Sequence, residues 1–290
     1  MKTSFTLLLA LLCSAALANP ADPQISNLNV SQDASRVVHV TYTLDEPAYV
    51  TMDVLTNHVS IGGANVQNLL GDVNKLVPAG NHAIDWYARR SWPDLRLDTP
   101  PIVSVQLTAW AESAPPDVMV IDLETKTVAY YPSMDFLPDG GLVNDKYRTS
   151  HLVMKKVHAA NQTFTMGSPS DESPYRGTDE VQHLVKFTKD YYLAIYETTR
   201  RQFKLLGGTE NTANQATPYG TDDANQCPIA FVRYDVLRSS GWPADGYANP
   251  GGLIGSFQSA CGLALDLPTE AQWEFACRAG TTTADRKSVV

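Results

Sequence analysis

The stretch that most constrains this chain is a strict alternation of apolar and polar residues on both sides of a short acidic turn. Val38, Val40, Tyr42 and Leu44 alternate with His39, Thr41 and Thr43. A period of two puts the first set on one face, which specifies a half-buried strand and not a helix. Asp45-Glu46-Pro47 breaks the run with turn-forming residues. Ala48, Val50, Met52 and Val54 then resume the same period.

Further strands follow the same logic. Ile25, Leu28 and Val30 suggest one before the alternation, and Ala83-Ile84-Asp85-Trp86 another, after the turn Pro78-Ala79-Gly80-Asn81. Ile102, Val103, Val105, Leu107 and Trp110 supply a last one. Short strands at this spacing, with no helical stretch between them, specify an all-β immunoglobulin-like sandwich over residues 19–112. Tyr42-Thr43-Leu44-Asp45-Glu46-Pro47-Ala48 and Pro78-Ala79-Gly80-Asn81-His82 resemble the immunoglobulin-like or fibronectin-like modules of secreted bacterial proteins. The expected role is a spacer or docking module. Carbohydrate binding by Trp86, Tyr87 and Trp92 is the sharper alternative, although aromatics at such spacings more often pack a core or an edge.

The N-terminus reads as an address. Met1-Lys2 is followed by an apolar run from Phe5 to Leu12, and Ala16-Leu17-Ala18 offers small residues where a signal peptidase cuts. Residues 1–18 are therefore expected to be a signal peptide, cleaved before Asn19, which implies a secreted or periplasmic protein. Leu12 before Cys13 does not suit lipidation. After this leader no run of about 18 apolar residues occurs, so no membrane span is expected. The 31 Asp and Glu outnumber 22 Lys and Arg, for a net charge of −9, which argues against nucleic acid as the main partner. A 43% hydrophobic, 18% charged composition over 290 residues fits a globular chain of two domains or one large one.

Past the leader three cysteines remain, Cys227, Cys261 and Cys277. An exported protein can form disulfides, but an odd number leaves at least one thiol outside any internal bridge. Cys227 and Cys261 either pair or stay free or buried. Their spacing fits no zinc motif, the six histidines show no helical metal-ligand pair, and no nucleophile elbow, phosphate loop or dinucleotide fingerprint occurs.

Residues 113–149 read as a transition. Ser113-Ala114-Pro115-Pro116-Asp117 is a linker signal, and Val118–Ile121 with Thr127–Tyr131 are expected to form a hairpin around Leu123-Glu124-Thr125-Lys126. Beyond them the pattern changes. Phe164-Thr165-Met166-Gly167-Ser168 ends a strand in a glycine turn, and residues 169–180 read as a polar loop. Val181, His183, Val185 and Phe187 alternate, and an apolar run covers Tyr191–Ile195. A helix is expected through Leu206, capped by Thr198 or Thr199 and ended by Gly207-Gly208. Near the end, Thr269 and Gln272 form a capping box, Glu270 suits the positive helix end, and Trp273, Ala276 and Cys277 are expected to form one buried stripe. Arg278 and Gly280 supply the stop.

The wording of these segments is more specific than their physics. Leu265-Asp266-Leu267-Pro268-Thr269-Glu270-Ala271-Gln272-Trp273-Glu274-Phe275-Ala276 resembles the LPTEAEWEYA motif of the sulfatase-modifying factor family, also called formylglycine-generating enzymes. Phe164–Ser168 resembles that family's opening strand and turn. Tyr192-Leu193-Ala194-Ile195-Tyr196-Glu197-Thr198-Thr199-Arg200-Arg201-Gln202-Phe203 resembles its Y-x-x-x-x-E-V-T-x-x-Q stretch, with Thr198 replacing valine. Pro228-Ile229-Ala230-Phe231-Val232-Arg233-Tyr234-Asp235 resembles a fourth stretch, departing at Arg233. The resemblance covers residues 150–284.

It implies an α+β C-type-lectin-like domain, of which 150–284 is the N-terminal part. Active members oxidise a cysteine of a sulfatase to Cα-formylglycine with dioxygen and a copper ion on two cysteines, and they bind calcium. Thiolates are the soft ligands Cu(I) prefers. The family's copper and calcium ligands lie after the LPTEAEWEYA-like helix, so no catalytic, cofactor-binding or metal-binding residue is assigned here, and copper and calcium belong to the complete domain. Cys277 reads as a buried structural thiol. Glu197, Glu270 and Glu274 read as capping or solvated carboxylates, and His183 as a surface or satisfied core residue. Residues 285–290, Asp285-Arg286-Lys287-Ser288-Val289-Val290, match what a short-read sequencing adapter encodes in one frame, and they are expected to be foreign. Such a chain is expected to be a fragment without oxidase activity. Two classes of function stand: a secreted oxidase of this family acting on a sulfatase polypeptide, or a non-catalytic lectin-like module that recognises a protein or glycan.

Overall fold

The computed structural model describes residues 22–90, 92–171, 177–211, 223–239 and 251–281. The leader at 1–18 and residues 285–290 lie outside the described residues, as does part of the polar loop at 169–180.

The first half forms β1 (Ile25–Gln32), β2 (Val38–Leu44), β3 (Ala48–Thr56), β4 (Val59–Ser60), β5 (Leu69–Gly71), β6 (Lys75–Val77), β7 (Gly80–Trp86) and β8 (Val103–Ala111). One antiparallel sheet has the order β1-β2-β7-β5. The other centres on β3, which pairs with β8 along its whole length, so β4 and β6 share its opposite edge. The alternating residues of β2 and β3 meet in one core with Ile84, Trp86, Val103 and Val105. Fully burying a side chain of this size stabilises by about 1.5–3 kcal/mol. β1 needs a correction to a simple period of two, because Ile25, Leu28 and Val30 are unevenly spaced. A register shift between Ser26 and Asn29, with Asn27 at φ 51°, supplies the extra residue that turns Leu28 and Val30 toward the core.

The second half comprises β9 (Val118–Asp122), β10 (Val128–Tyr131), β11 (His151–Val157), β12 (Thr163–Met166), β13 (His183–Lys186) and β14 (Tyr191–Ala194). Its helices are α1 (Lys146–Thr149), α2 (Arg200–Leu205), α3 (Tyr234–Arg238), α4 (Leu253–Cys261) and α5 (Glu270–Arg278). The sheet order is β10-β9-β11-β14, with β12 and β13 as a separate hairpin. The expected β9–β10 hairpin is present, and β9 lies inside the sheet. Val118 and Val120 face one core with Leu137, Tyr147 and Val153, while Met119 and Ile121 face another with Leu123 and Phe257. Burial on both faces is why β9 reads as the unbroken apolar run Val-Met-Val-Ile.

The segment Pro115–Asp117 is fastened, not loose. Lys156 Nζ donates to the Pro115 carbonyl and lies 3.8 Å from Asp117, and Tyr192 donates its hydroxyl to the Pro116 carbonyl. The two halves also meet directly. Asn74 N–H donates to Val50 O at 2.6 Å, and Tyr130 N–H donates to Asn74 O at 2.8 Å, so one residue links β3 to β10. The Tyr49 and Tyr130 rings pack at a tilt, with centroids 4.4 Å apart. A Cβ at Gly63 would collide with the main chain of Phe136. No helix among the described residues is long and apolar enough to cross a membrane.

Two measurements follow from these contacts. Gly63→Ala inserts a methyl group where the junction has no room. It is expected to destabilise by about 1–3 kcal/mol in denaturant titration, and an unchanged midpoint would show the junction to be open. His39 lies between Asp85 (2.7 Å) and Asp33 (3.3 Å), and their hydrogen bonds, Asp85 first, raise its pKa above the ordinary 6.5. A raised folded-state pKa gives stability that is complete below about pH 6.5 and is lost as pH rises through the folded value. The Tm gap between the protein and His39→Gln should be widest on the acid side and close on the alkaline side; a pH-independent gap would contradict the pairing.

Candidate functional site

The four motif segments come together in two pairs. In the first, the strand–turn Phe164–Ser168 meets α5. Thr269 caps α5 and accepts from Gln272 N–H at 3.2 Å, while Gln272 Oε1 accepts from Thr269 N–H at 2.9 Å, as the capping box requires. Ala279 takes the left-handed cap position and Gly280 follows at φ 86°. Phe275 lies 5.2 Å from Phe164 and 4.9 Å from Phe187.

Polar bonds close the same contact. Glu274 Oε1 accepts from Gly167 N–H at 3.0 Å and from Arg278 Nε at 2.7 Å, and Arg278 donates to Gly167 O at 3.1 Å. Both main-chain groups of Gly167 are thus held by one ion pair. Gly167 itself sits at φ 93°, and a Cβ there would lie 2.8 Å from the Glu180 carbonyl, so the turn requires glycine.

In the second pair, α2 meets Pro228–Asp235. Thr199 is the cap, with a reciprocal box to Gln202. Its hydroxyl also donates to Arg148 O at 2.7 Å, and Gln202 donates to His151 O at 2.8 Å. Arg200 N–H donates to Cys227 O, and Ile229 N–H donates to Thr198 O, both at 2.9 Å. Lys126, from the β9–β10 turn, donates to Leu205 O at 2.9 Å and so closes the far end of α2.

Against this frame the individual residues take definite places. The expected stripe Trp273-Ala276-Cys277 is corrected. Trp273 is 57% exposed and Ala276 and Cys277 are half-buried, because the hairpin and Phe187 pack on the Phe275 side of α5. Of the two alternatives for Cys227 and Cys261 the structure has the unpaired one, and all three described thiols are free. Cys227 donates to Asp223 O and Cys261 to Gln258 O, each within its own segment. Cys277 lies in the last turn of α5, at the opposite end from the amides that activate a helix-borne thiol. Glu197, Glu270 and His183 are exposed. Glu274 is the one candidate carboxylate with a defined partner set, and it is structural. Trp86 is fully buried in the sandwich core and so cannot join Tyr87 and Trp92 in a surface sugar platform. No group of three or more His, Cys, Asp or Glu suited to a metal ion occurs among the described residues.

The chemistry of this donor set does not fit a bis-thiolate copper centre. The three thiols come from the turn before Pro228, the end of α4 and the end of α5, and the two that hydrogen-bond do so to carbonyls of their own segments. The Glu274–Arg278–Gly167 clamp escaped sequence reasoning because its partners are 107 and 111 positions apart. Glu274 and Arg278 are one helical turn apart, but in the sequence they read singly, as a solvated carboxylate and a last-turn cation.

A family model described as sulfatase-modifying factor enzyme 1-like domain matches residues 146–288. No curated protein and no solved structure matches the chain.

The clamp predicts a contrast between two glutamates. Glu274→Ala leaves Gly167 N–H and Arg278 partly unpaired and should cost about 1–3 kcal/mol. Glu197→Ala, at an exposed position, should stay within about 0.5 kcal/mol. Equal losses in denaturant titration would remove the clamp as a stabilising feature.

Proposed function

On the premise that residues 146–288 form a domain of the sulfatase-modifying factor family, we propose that the protein is an exported relative of formylglycine-generating enzymes. In this reading an immunoglobulin-like sandwich precedes a C-type-lectin-like domain, the partner is a sulfatase polypeptide, and the described residues scaffold the site without performing the oxidation. The observation that carries the last point is the separation of the three thiols among three segments, two of them bonded to carbonyls of their own segments. A copper centre would supply dioxygen activation through two adjacent thiolates. Cys227, Cys261 and Cys277 do not offer that pair, and no step is assigned to them.

The family segments instead build a rigid frame. Two reciprocally capped helices grip the glycine turn at Gly167 and the Cys227–Ile229 segment. A second reading is a non-catalytic module that recognises a protein or glycan. It is favoured by the roles of Glu274 and Gln202, whose polar atoms are spent on main-chain groups and a neighbouring arginine.

The test expresses the full chain, recovers the protein and reads its N-terminus, which is expected to be Asn19. The recovered protein is loaded with Cu(I) and incubated in air with a peptide carrying CxPxR, and the peptide is read by mass spectrometry. The expected result is an unmodified cysteine. Conversion to formylglycine would overturn the scaffold reading, and recovery of an uncleaved N-terminus would overturn export. Saturable binding of the same peptide without conversion would support the sulfatase partner, and no binding would leave the second reading.

A further inference from the structure

The junction between the sandwich and the second sheet forms a half-open cavity of about 250 Å³. Met52 and Leu69 line it from the sandwich, and Phe136 and Pro138 from the segment after β10. The polar lining is Asn68, Asn74, Tyr131 and Asp139. We propose that this cavity is a binding site for one neutral, hydroxyl-rich ring, the terminal sugar of a glycan. The proposal rests on neither reading of the family domain.

Size sets the first limit. Ligand sites for drug-sized molecules run from about 300 to 1,000 Å³, so this one accommodates a single ring and not a nucleotide or a peptide. Charge sets the second. The lining includes no cationic side chain, and the two cations beside it, Arg90 and Lys146, are spent on Asn68 and Asp139. Its one carboxylate, Asp139, is already engaged by Lys146 Nζ, and Lys146 lines a neighbouring cavity of about 130 Å³ that shares Tyr131 and Pro138 with the first. A cation would therefore meet a neutralised partner.

Hydrogen-bonding capacity sets the third. The Tyr131 hydroxyl and the Asn74 side-chain amide have no protein partner among the described residues. Burial, with Asp139 nearby, pushes the Tyr131 pKa up to about 12, so the phenol stays protonated and donates. An amide presents donors and an acceptor, and a carboxylate presents acceptors, which is the mixed set that vicinal hydroxyls need. Phe136, Met52 and Leu69 supply the apolar wall against which the C–H face of a sugar ring packs.

The backbone holds these polar groups in place. Asn68, Asn74 and Asp139 all sit at left-handed φ (59°, 56° and 58°), a conformation that Asn and Asp tolerate. Asn74 is also the residue that bridges β3 to β10. The site therefore exists only where the two halves are joined.

The experiment is calorimetric titration of the full chain with methyl glycosides of neutral hexoses and of N-acetylhexosamine. Methyl glucuronide and methyl glucosaminide serve as charged comparisons. At least one neutral glycoside should bind and the charged ones should bind more weakly. Tyr131→Phe removes one hydroxyl and should weaken binding roughly 2- to 12-fold, the equivalent of one hydrogen bond. Asn74→Asp keeps the left-handed backbone, removes the amide donors and should weaken binding similarly. Tyr87→Phe, in the sandwich platform alternative, should leave affinity unchanged. No binding of any neutral glycoside, tighter binding of a charged one, or full affinity in Tyr131→Phe with an unchanged melt would each overturn the proposal. Loss of affinity in Tyr87→Phe alone would do the same, by moving the sugar to the outer face of the sandwich.

Discussion

Two main-chain hydrogen bonds of Asn74 determine how this molecule is put together. Its N–H donates to Val50 in the sandwich and its carbonyl accepts from Tyr130 in the second sheet. A residue can do this only if its backbone turns sharply between the two bonds, and Asn74 does so at φ 56°. The consequence spreads outward. Tyr49 leaves the sandwich surface to pack on Tyr130, and Tyr130 in turn lies edge-on to Tyr192 of β14. Gly63 is pressed against the Phe136 main chain with no room for a side chain. The sandwich is in this way a wall of the second half and not a module hung on a tether.

The same economy governs the family segments. The four motif stretches are far apart in the chain, yet they pair through main-chain atoms: Gly167 with Glu274 and Arg278, and Thr198 and Arg200 with Ile229 and Cys227. Side chains that would be candidate acids or bases in another setting are consumed in holding backbone. Such bonds are strong in a half-buried contact because a lost partner leaves a polar group unpaired at a cost of about 1–3 kcal/mol. In this chain Glu274, Gln202 and Arg278 thereby meet a structural need.

Sequence reading recovered the elements whose signals are local. The alternations at Val38–Leu44 and Ala48–Val54, the hairpin at 118–131, the cap of α2 at Thr198 or Thr199 and the capping box at Thr269 each declare themselves within a few residues. It missed β4, β5 and β6, which are three residues or shorter and carry no periodicity. It also missed α4, although Gly252 and the left-handed Gly262 bracket it. It misjudged α5, where the apolar Trp273 outweighed Phe275 on the page. Which side of a short helix is buried depends on what packs there, and Phe164 and Phe187 come from a distant hairpin.

By itself the sequence determined the strand periods, the helix caps, the acidic charge and the wording that resembles a family over residues 150–284, because each is written in neighbouring residues. Tertiary structure alone decided that β9 lies between β10 and β11, that Glu274 serves Gly167, that Trp86 is core and not platform, and that Asn68, Asn74, Tyr131 and Asp139 share one cavity. Those outcomes depend on contacts between residues tens of positions apart. The chain's local preferences are compatible with many such contacts, and the burial of shared apolar surface together with main-chain bonds such as those of Asn74 selects among them.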